Sequence, residues 1–187
     1  MTLPFPRRIF FTSLAAGVLG VSMIASAPAQ DAASGGVKLQ PMKWSRFKER
    51  LADKKVKFTL VDVWATTCGP CKENFPHLVE MHRKFADKGL GVISLTLDDP
   101  TDTKAVAAAE KFLQEKQAAF TNVLLDENYG DGYDRLNINT IPAVFLFGPD
   151  GRELKRFTMD DPDHQFTYEE VEKDVAARLA AAAPASK

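Results

Sequence analysis

Residues 58–71 read FTLVDVWATTCGPC and contain both cysteines of the 187-residue chain. The first eight of these residues are mostly apolar and rich in β-branched and aromatic side chains, which predicts a buried central strand. From Pro70 onward, apolar residues recur at helical spacing; they are Phe75, Leu78, Val79 and Phe85. The cysteines therefore lie where a strand ends and the first turn of a helix begins.

Cys68 and Cys71 are separated by two residues, which limits what a bond between them can do. A disulfide stabilises a fold mainly by closing a loop in the unfolded chain, and a loop this short contributes little. A structural zinc site needs about four ligands, and His77, His82 and His164 do not have the spacing of a zinc finger. We therefore interpret the pair as a reversible Cys68–Cys71 redox disulfide, with no metal.

The position of the pair also predicts a division of labour between the two sulfurs. Unpaired N–H groups and the positive end of the helix dipole favour a thiolate at a helix N-terminus. The thiolate is the attacking species, so Cys68 is expected to be the exposed nucleophile. Cys71, one helical turn later, is expected to be more buried and to attack the mixed disulfide.

An acidic residue, Asp62, interrupts the apolar strand before the cysteines. If it is buried, its pKa should rise, which would make it a candidate to accept the proton of Cys71. The alternative is an aspartate that turns to solvent at a strand end. His82 falls on the apolar stripe of the following helix, and we interpret it as a histidine at the edge of the core.

The segment from Asp62 to Pro76 resembles the active-site segment of thioredoxin-like proteins, and Thr140-Ile141-Pro142 resembles the loop that carries their cis-proline. The likeness extends from about Val56 to Gly151, and an inserted helix with an envelope-type leader favours the TlpA/ResA-like branch of exported thioredoxins. The resemblance implies an α/β, thioredoxin-like fold with a central mixed β-sheet and helices on both faces.

The same resemblance implies roles for individual residues. The reacting centre would consist of Cys68, Cys71, Asp62 and Pro142. Substrate would contact Ile141, Trp64, Gly69 and Pro70, with Trp64 mainly part of the core. Thr67 stands where thioredoxins commonly carry a tryptophan, which affects partner recognition.

The N-terminus has the pattern of an export signal. Arg7 and Arg8 precede an uncharged apolar run, and Ala27-Pro28-Ala29 fits a small-x-small cleavage site. The two arginines also resemble a twin-arginine signal. We expect a cleaved signal peptide at 1–29, a flexible tether at 30–37, a thioredoxin-like domain at 38–183 and a disordered tail at 184–187. A periplasmic or exported location follows.

The net charge of the chain bears on the kind of partner that it can bind. Without the leader, 22 basic and 25 acidic residues leave a net charge of −3, which favours neither nucleic acid nor an anionic membrane.

Helical faces are expected around Trp44–Leu51 and Ala105–Leu113, and a capping box at Thr167 and Glu170 should start a last helix. Further strands are predicted at 90–97, 123–125, 143–147 and 152–158.

These features predict an exported thiol–disulfide oxidoreductase that acts as a reductant. Its partners would be disulfide-containing envelope proteins, with cytochrome c or copper-site maturation as a candidate role, and a membrane thiol donor. We expect a monomer without a cofactor and without a nucleic-acid partner. Two alternatives remain: a copper-binding assembly protein of the Sco type, and a peroxiredoxin-like peroxidase. Cys68-Gly69-Pro70-Cys71 lacks the wider cysteine spacing of the first and the threonine-then-cysteine motif of the second.

Overall fold

The computed structural model describes Met1 and residues 36–183. The expected signal peptide, most of the expected tether and the tail at 184–187 lie outside these residues. The described elements, in chain order, are β1 (Leu39–Met42), α1 (Trp44–Leu51), β2 (Phe58–Trp64), α2 (Gly69–Phe85), a 3₁₀ turn (Ala86–Lys88), β3 (Leu90–Thr96), α3 (Thr103–Glu115), β4 (Thr121–Leu125), α4 (Asp131–Leu136), β5 (Ala143–Phe147), β6 (Glu153–Phe157) and α5 (Tyr168–Ala181). Within the described part of the chain, no helix is both long and apolar enough to span a membrane.

The strands form one mixed sheet in the order β1-β4-β3-β2-β5-β6. β1, β4, β3 and β2 run parallel, whereas β5 is antiparallel to both β2 and β6. Since β2 and β3 are parallel, their carboxyl ends meet at one edge of the sheet. Val63 near the end of β2 pairs with Ala143 at the start of β5, so residue 142 lies at that same edge.

Helices cover both faces of the sheet, as the resemblance implied. On one face Leu60 and Trp64 of β2 pack with apolar residues of α2, α3 and α5. On the other face Val61 and Val63 pack with Phe47 of α1 and with α4. Burial on both faces explains why β2 is almost continuously apolar.

Most predicted elements are confirmed, and two elements were missed. The missed strand β1 has four residues and contains Pro41, which a strand tolerates at an edge. The missed helix α4 has six residues, follows Gly130 in a left-handed conformation, and contains Gly132. Neither segment is long enough to show a period in the sequence, so their structure depends on neighbours.

Candidate active site

Cys68 occupies the N-cap position of α2, between the end of β2 and the first helical turn. Its sulfur is bonded to the sulfur of Cys71, and the two Cα atoms are 5.3 Å apart. The backbone N–H of Cys71 donates to Cys68 Sγ at 3.2 Å. This N–H, together with the dipole of a 17-residue helix, would stabilise a thiolate on Cys68 in the reduced protein.

The two sulfurs differ in access to solvent. Cys71 is 1% exposed, whereas Cys68 is half-buried and is followed by exposed Gly69 and Pro70. An incoming disulfide can therefore reach Cys68 but not Cys71. The predicted difference in burial between the two cysteines is confirmed.

The loop before β5 lies beside the outer cysteine. The Ile141–Pro142 peptide bond is cis, and the carbonyl oxygen of Ile141 lies 3.8 Å from Cys68 Sγ. The N–H groups of Asn139 and Thr140 both donate to Asp160 Oδ1, at 3.0 and 3.2 Å. Backbone groups of this loop are thus held next to Cys68 Sγ by a side chain from beyond β6.

Asp62 lies inside the molecule and does not turn to solvent. Its side chain is 1% exposed, and the Tyr168 hydroxyl donates to its Oδ2 at 2.8 Å. Its Oδ1 has no hydrogen-bond partner among the described residues. Burial raises the pKa of Asp62 to about 7, against the opposing effect of the Tyr168 hydrogen bond. A carboxyl group with this pKa can exchange a proton near neutral pH.

The expected contact of Trp64 with substrate does not agree with its position. Trp64 is fully buried and packs against the rings of Phe75 and Phe112, with centroids 5.5 and 5.0 Å away. It therefore supports α2 and α3 from beneath and does not reach the surface around Cys68. Exposed Thr67 lies on that surface instead.

Sequence reasoning missed Asp98, which follows β3 and is 6% exposed. Its carboxylate accepts from the N–H of Thr66 at 3.0 and 3.1 Å and from the Thr66 hydroxyl at 2.6 Å. It also accepts from the Thr96 hydroxyl at 2.5 Å. Asp98 thus fixes the loop two residues before Cys68. Its position after a parallel strand that neighbours β2 was the available signal.

Ligands for a metal are not gathered at this site. Among the described residues, no group of three or more His, Cys, Asp or Glu side chains is arranged to hold a metal ion. His82 is half-buried on α2, where burial and then the charge of Arg83 lower its pKa. Its ring lies edge-on to Phe120 with centroids 5.3 Å apart, as expected for a histidine at the core edge.

Comparison with known proteins agrees with this geometry. The AhpC/TSA family profile matches residues 36–152, which is more than half of the chain. A thiol-disulfide oxidoreductase ResA from Bacillus subtilis is 28% identical over 109 residues, which cover 58% of this chain and 56% of the relative. The chain thus spans little more than half the length of that curated relative.

Solved structures give the same result. A candidate thiol:disulfide interchange protein DsbE from Chlorobium tepidum is 29% identical with a TM-score of 0.55, covering 69% of this chain and 84% of that one. A candidate thiol-disulfide oxidoreductase from Bacteroides vulgatus is 29% identical with a TM-score of 0.50, covering 68% and 79%. The chain has a thioredoxin-like fold and belongs to the AhpC/TSA family.

Proposed function

We propose that this protein is an exported thiol–disulfide oxidoreductase that reduces disulfides in envelope proteins. The observation that carries the proposal is the unequal pair at the start of α2. Cys68 is half-buried at the N-cap with an N–H directed at its sulfur, while Cys71 is 1% exposed. Cys68 can react with a disulfide of an envelope protein, which we call the client. Cys71 can react only with the mixed disulfide that Cys68 then forms.

The reaction conserves electrons in two exchanges. The Cys68 thiolate attacks one sulfur of a client disulfide, so that a mixed disulfide forms and the other client sulfur leaves as a thiolate. Cys71 then attacks Cys68 Sγ, which releases the second client thiolate and closes the Cys68–Cys71 bond. The client gains two electrons and the protein loses two. Renewed reduction requires a dithiol donor, for which a membrane thiol protein is the partner we propose.

Asp62 supplies the base for the second exchange. Cys71 must lose its proton before it attacks, and the carboxylate of Asp62 is buried on the same face of the sheet. With a pKa raised to about 7 by burial, Asp62 is basic enough to take that proton near neutral pH. Its free Oδ1 is the acceptor atom.

The loop at Ile141 and Pro142 would hold the client during attack. The Ile141 carbonyl is 3.8 Å from Cys68 Sγ, so an extended client segment could pair with this backbone while its disulfide meets the sulfur. Exposed Gly69 and Pro70 would form the opposite side of the contact. The leader sequence supports an envelope location, and cytochrome c or copper-site maturation is the client pathway we propose.

Trapping tests the assignment of the two cysteines. In Cys71→Ser, Cys68 should still attack the client disulfide, but the mixed disulfide should not be resolved. Mixed disulfides formed in intact cells should therefore accumulate and be visible on non-reducing gels. Cys68→Ser is the matched control and should trap no client. Equal trapping by both variants would contradict the assignment, and the trapped proteins would identify the client.

The reduction potential tests the direction of electron flow. Gly69-Pro70 is the dipeptide of reducing thioredoxins, so we expect equilibration with glutathione to give a value nearer about −270 mV than about −120 mV. A potential above roughly −180 mV would contradict a reductant. Tight copper binding by the reduced protein would favour the Sco-type alternative, and rapid peroxide consumption would favour the peroxidase.

A further inference from the structure

We propose that Tyr168 is a positioning residue for the resolving step: its hydroxyl holds the Asp62 carboxylate so that Oδ1 is left free to accept the proton of Cys71. The inference rests on the proposed function and extends it to a residue 106 positions away from Asp62 in the chain. It assigns to the last helix a part in the chemistry, which the cysteine motif alone does not indicate.

The geometry of the contact supports this role. Tyr168 is 3% exposed, and its hydroxyl donates to Asp62 Oδ2 at 2.8 Å. Among the described residues this is the one hydrogen bond to the Asp62 side chain, since Oδ1 has no partner. A carboxylate held through one oxygen has a fixed orientation and presents the other oxygen.

The position of Tyr168 is itself fixed by the start of α5. Thr167 caps the helix and forms a capping box with Glu170, and these two hydrogen bonds fix the first turn, which contains Tyr168. The Tyr168 ring also packs 5.6 Å from Phe166 and stacks on His77 at 5.9 Å. The capped helix start and the two neighbouring rings therefore hold the Tyr168 hydroxyl in place against Asp62.

Tyr168 acts as a donor in this pair. Burial, the charge of Asp62 and the hydrogen bond to it all raise the pKa of Tyr168 far above its ordinary value. The phenol keeps its proton throughout the working range, so it stabilises the charged form of Asp62 and does not exchange protons with it. The hydrogen bond opposes the effect of burial on the pKa of Asp62.

Few other groups can influence this carboxyl. From α5 the facing group is Tyr168, and from α2 the titratable groups on this side are Cys71 and His77, whose ring stacks on that of Tyr168. The neighbours of Asp62 on the adjacent strands are Ser94 and Val144, which are uncharged. Burial raises the pKa of Asp62, and among the described residues the hydrogen bond from Tyr168 is the side-chain contact that opposes this rise.

Removal of the hydroxyl should leave Asp62 more easily protonated. A hydrogen bond to a charged group commonly corresponds to a shift of about one to two pH units. Tyr168→Phe should therefore move the midpoint for the resolving step up by about that amount. Near pH 7 the step should slow by roughly tenfold, and it should recover at higher pH.

The two exchanges can be observed separately with a symmetrical aromatic disulfide that releases a coloured thiol. The first thiol released from the reduced protein reports attack by Cys68, and the second reports resolution by Cys71. We would record both phases against pH for the wild type, Tyr168→Phe, Asp62→Asn and the double variant. Tyr133→Phe, which removes a half-buried hydroxyl on the opposite face of the sheet, is the matched control.

The expected result is a shift confined to the second phase of Tyr168→Phe, no shift in Tyr133→Phe, and a double variant identical to Asp62→Asn. An unshifted second phase in Tyr168→Phe, while Asp62→Asn removes the pH dependence, would overturn the role of Tyr168 and leave the proposed function intact. An unchanged second phase in Asp62→Asn would remove Asp62 from the proposed mechanism.

A direct titration of the Asp62 carboxyl separates a change in its pKa from any other effect of the substitution on the reaction rate. The carboxyl ¹³C resonance of Asp62 can be followed against pH in the oxidised, folded protein, without any turnover. Tyr168→Phe should raise the midpoint of this resonance, and Tyr133→Phe should not. An identical midpoint in the wild type and Tyr168→Phe would overturn the inference whatever the kinetics show.

Discussion

Asp62 and Asp98 are both buried acids, but their surroundings are opposite. Asp98 accepts from the Thr66 N–H, the Thr66 hydroxyl and the Thr96 hydroxyl, so both of its oxygens are engaged. Asp62 accepts a single hydrogen bond, from Tyr168, and its Oδ1 has no partner among the described residues. Asp62 lies in β2 and Asp98 just after the neighbouring strand β3, so the difference comes from the residues around them.

The difference in hydrogen bonding indicates which acid holds the structure together and which acid could transfer a proton. A carboxylate surrounded by donors is stabilised in its charged form and holds those donors in place. A carboxylate with an unsatisfied oxygen in an apolar setting is costly to ionise and has capacity to take a proton. Asp98 therefore shapes the loop before Cys68, and we propose that Asp62 takes part in the reaction.

Asp98→Asn should give the larger loss of stability. The new amide group would point N–H bonds at donors that now meet an oxygen, and hydrogen bonds to a charged group would be lost. We expect the free energy of unfolding to fall by about 2–4 kcal/mol. Because Thr66 would be released, attack by Cys68 on a model disulfide should also slow.

Asp99→Asn is the matched control, since it makes the same chemical change at the next residue. Asp99 accepts hydrogen bonds from Thr101 in an exposed turn, which water can replace. Its urea midpoint should stay close to that of the wild type. Equal losses in the two variants would show that Asp98 has no special role in holding the loop.

The sequence predicted the strand, the cysteine pair and the capped last helix because each carries a local period or motif. One acid that interrupts an apolar run suggested either a buried Asp62 or one turned to solvent at a strand end, and the structure shows the buried form. The sequence could not predict the partners of these acids. Thr66 lies 32 residues from Asp98 and Tyr168 lies 106 from Asp62, and such pairings depend on how the strands associate.

The apolar stripe of α5 is the sequence feature that comes nearest to indicating Tyr168 as the hydrogen-bond partner of Asp62. Tyr168 stands three residues before Val171, which places it on the inward face with Val175 and Leu179. Periodicity therefore indicates that this ring is buried. It does not indicate that a phenol at the first turn meets an acid of β2, because that contact requires α5 to pack across the sheet.

Asp62→Asn should give a smaller change in stability near pH 8, with the opposite sign, and this change should depend on pH. Asp62 has a pKa of about 7 in the folded protein and an ordinary value near 3.8. Between these values the folded state keeps a proton that the unfolded state releases, so wild-type stability falls as pH rises and the full loss is reached above about pH 7. A shift of this size corresponds to a loss on the order of 4 kcal/mol.

Asparagine does not titrate, so Asp62→Asn should remove this dependence of the unfolding free energy on pH. Its buried amide leaves one side without a partner, which offsets part of the gain. We expect a stabilisation of about 1–2 kcal/mol near pH 8 and a destabilisation of roughly 2–3 kcal/mol near pH 4, because the difference between the variants must change by nearly the whole wild-type loss across this range. Thermal or urea unfolding across this range, with exposed Asp87→Asn as control, measures the difference between the curves. A constant difference at all pH values would mean that Asp62 titrates alike in the folded and unfolded states, which would contradict a raised pKa for this carboxyl.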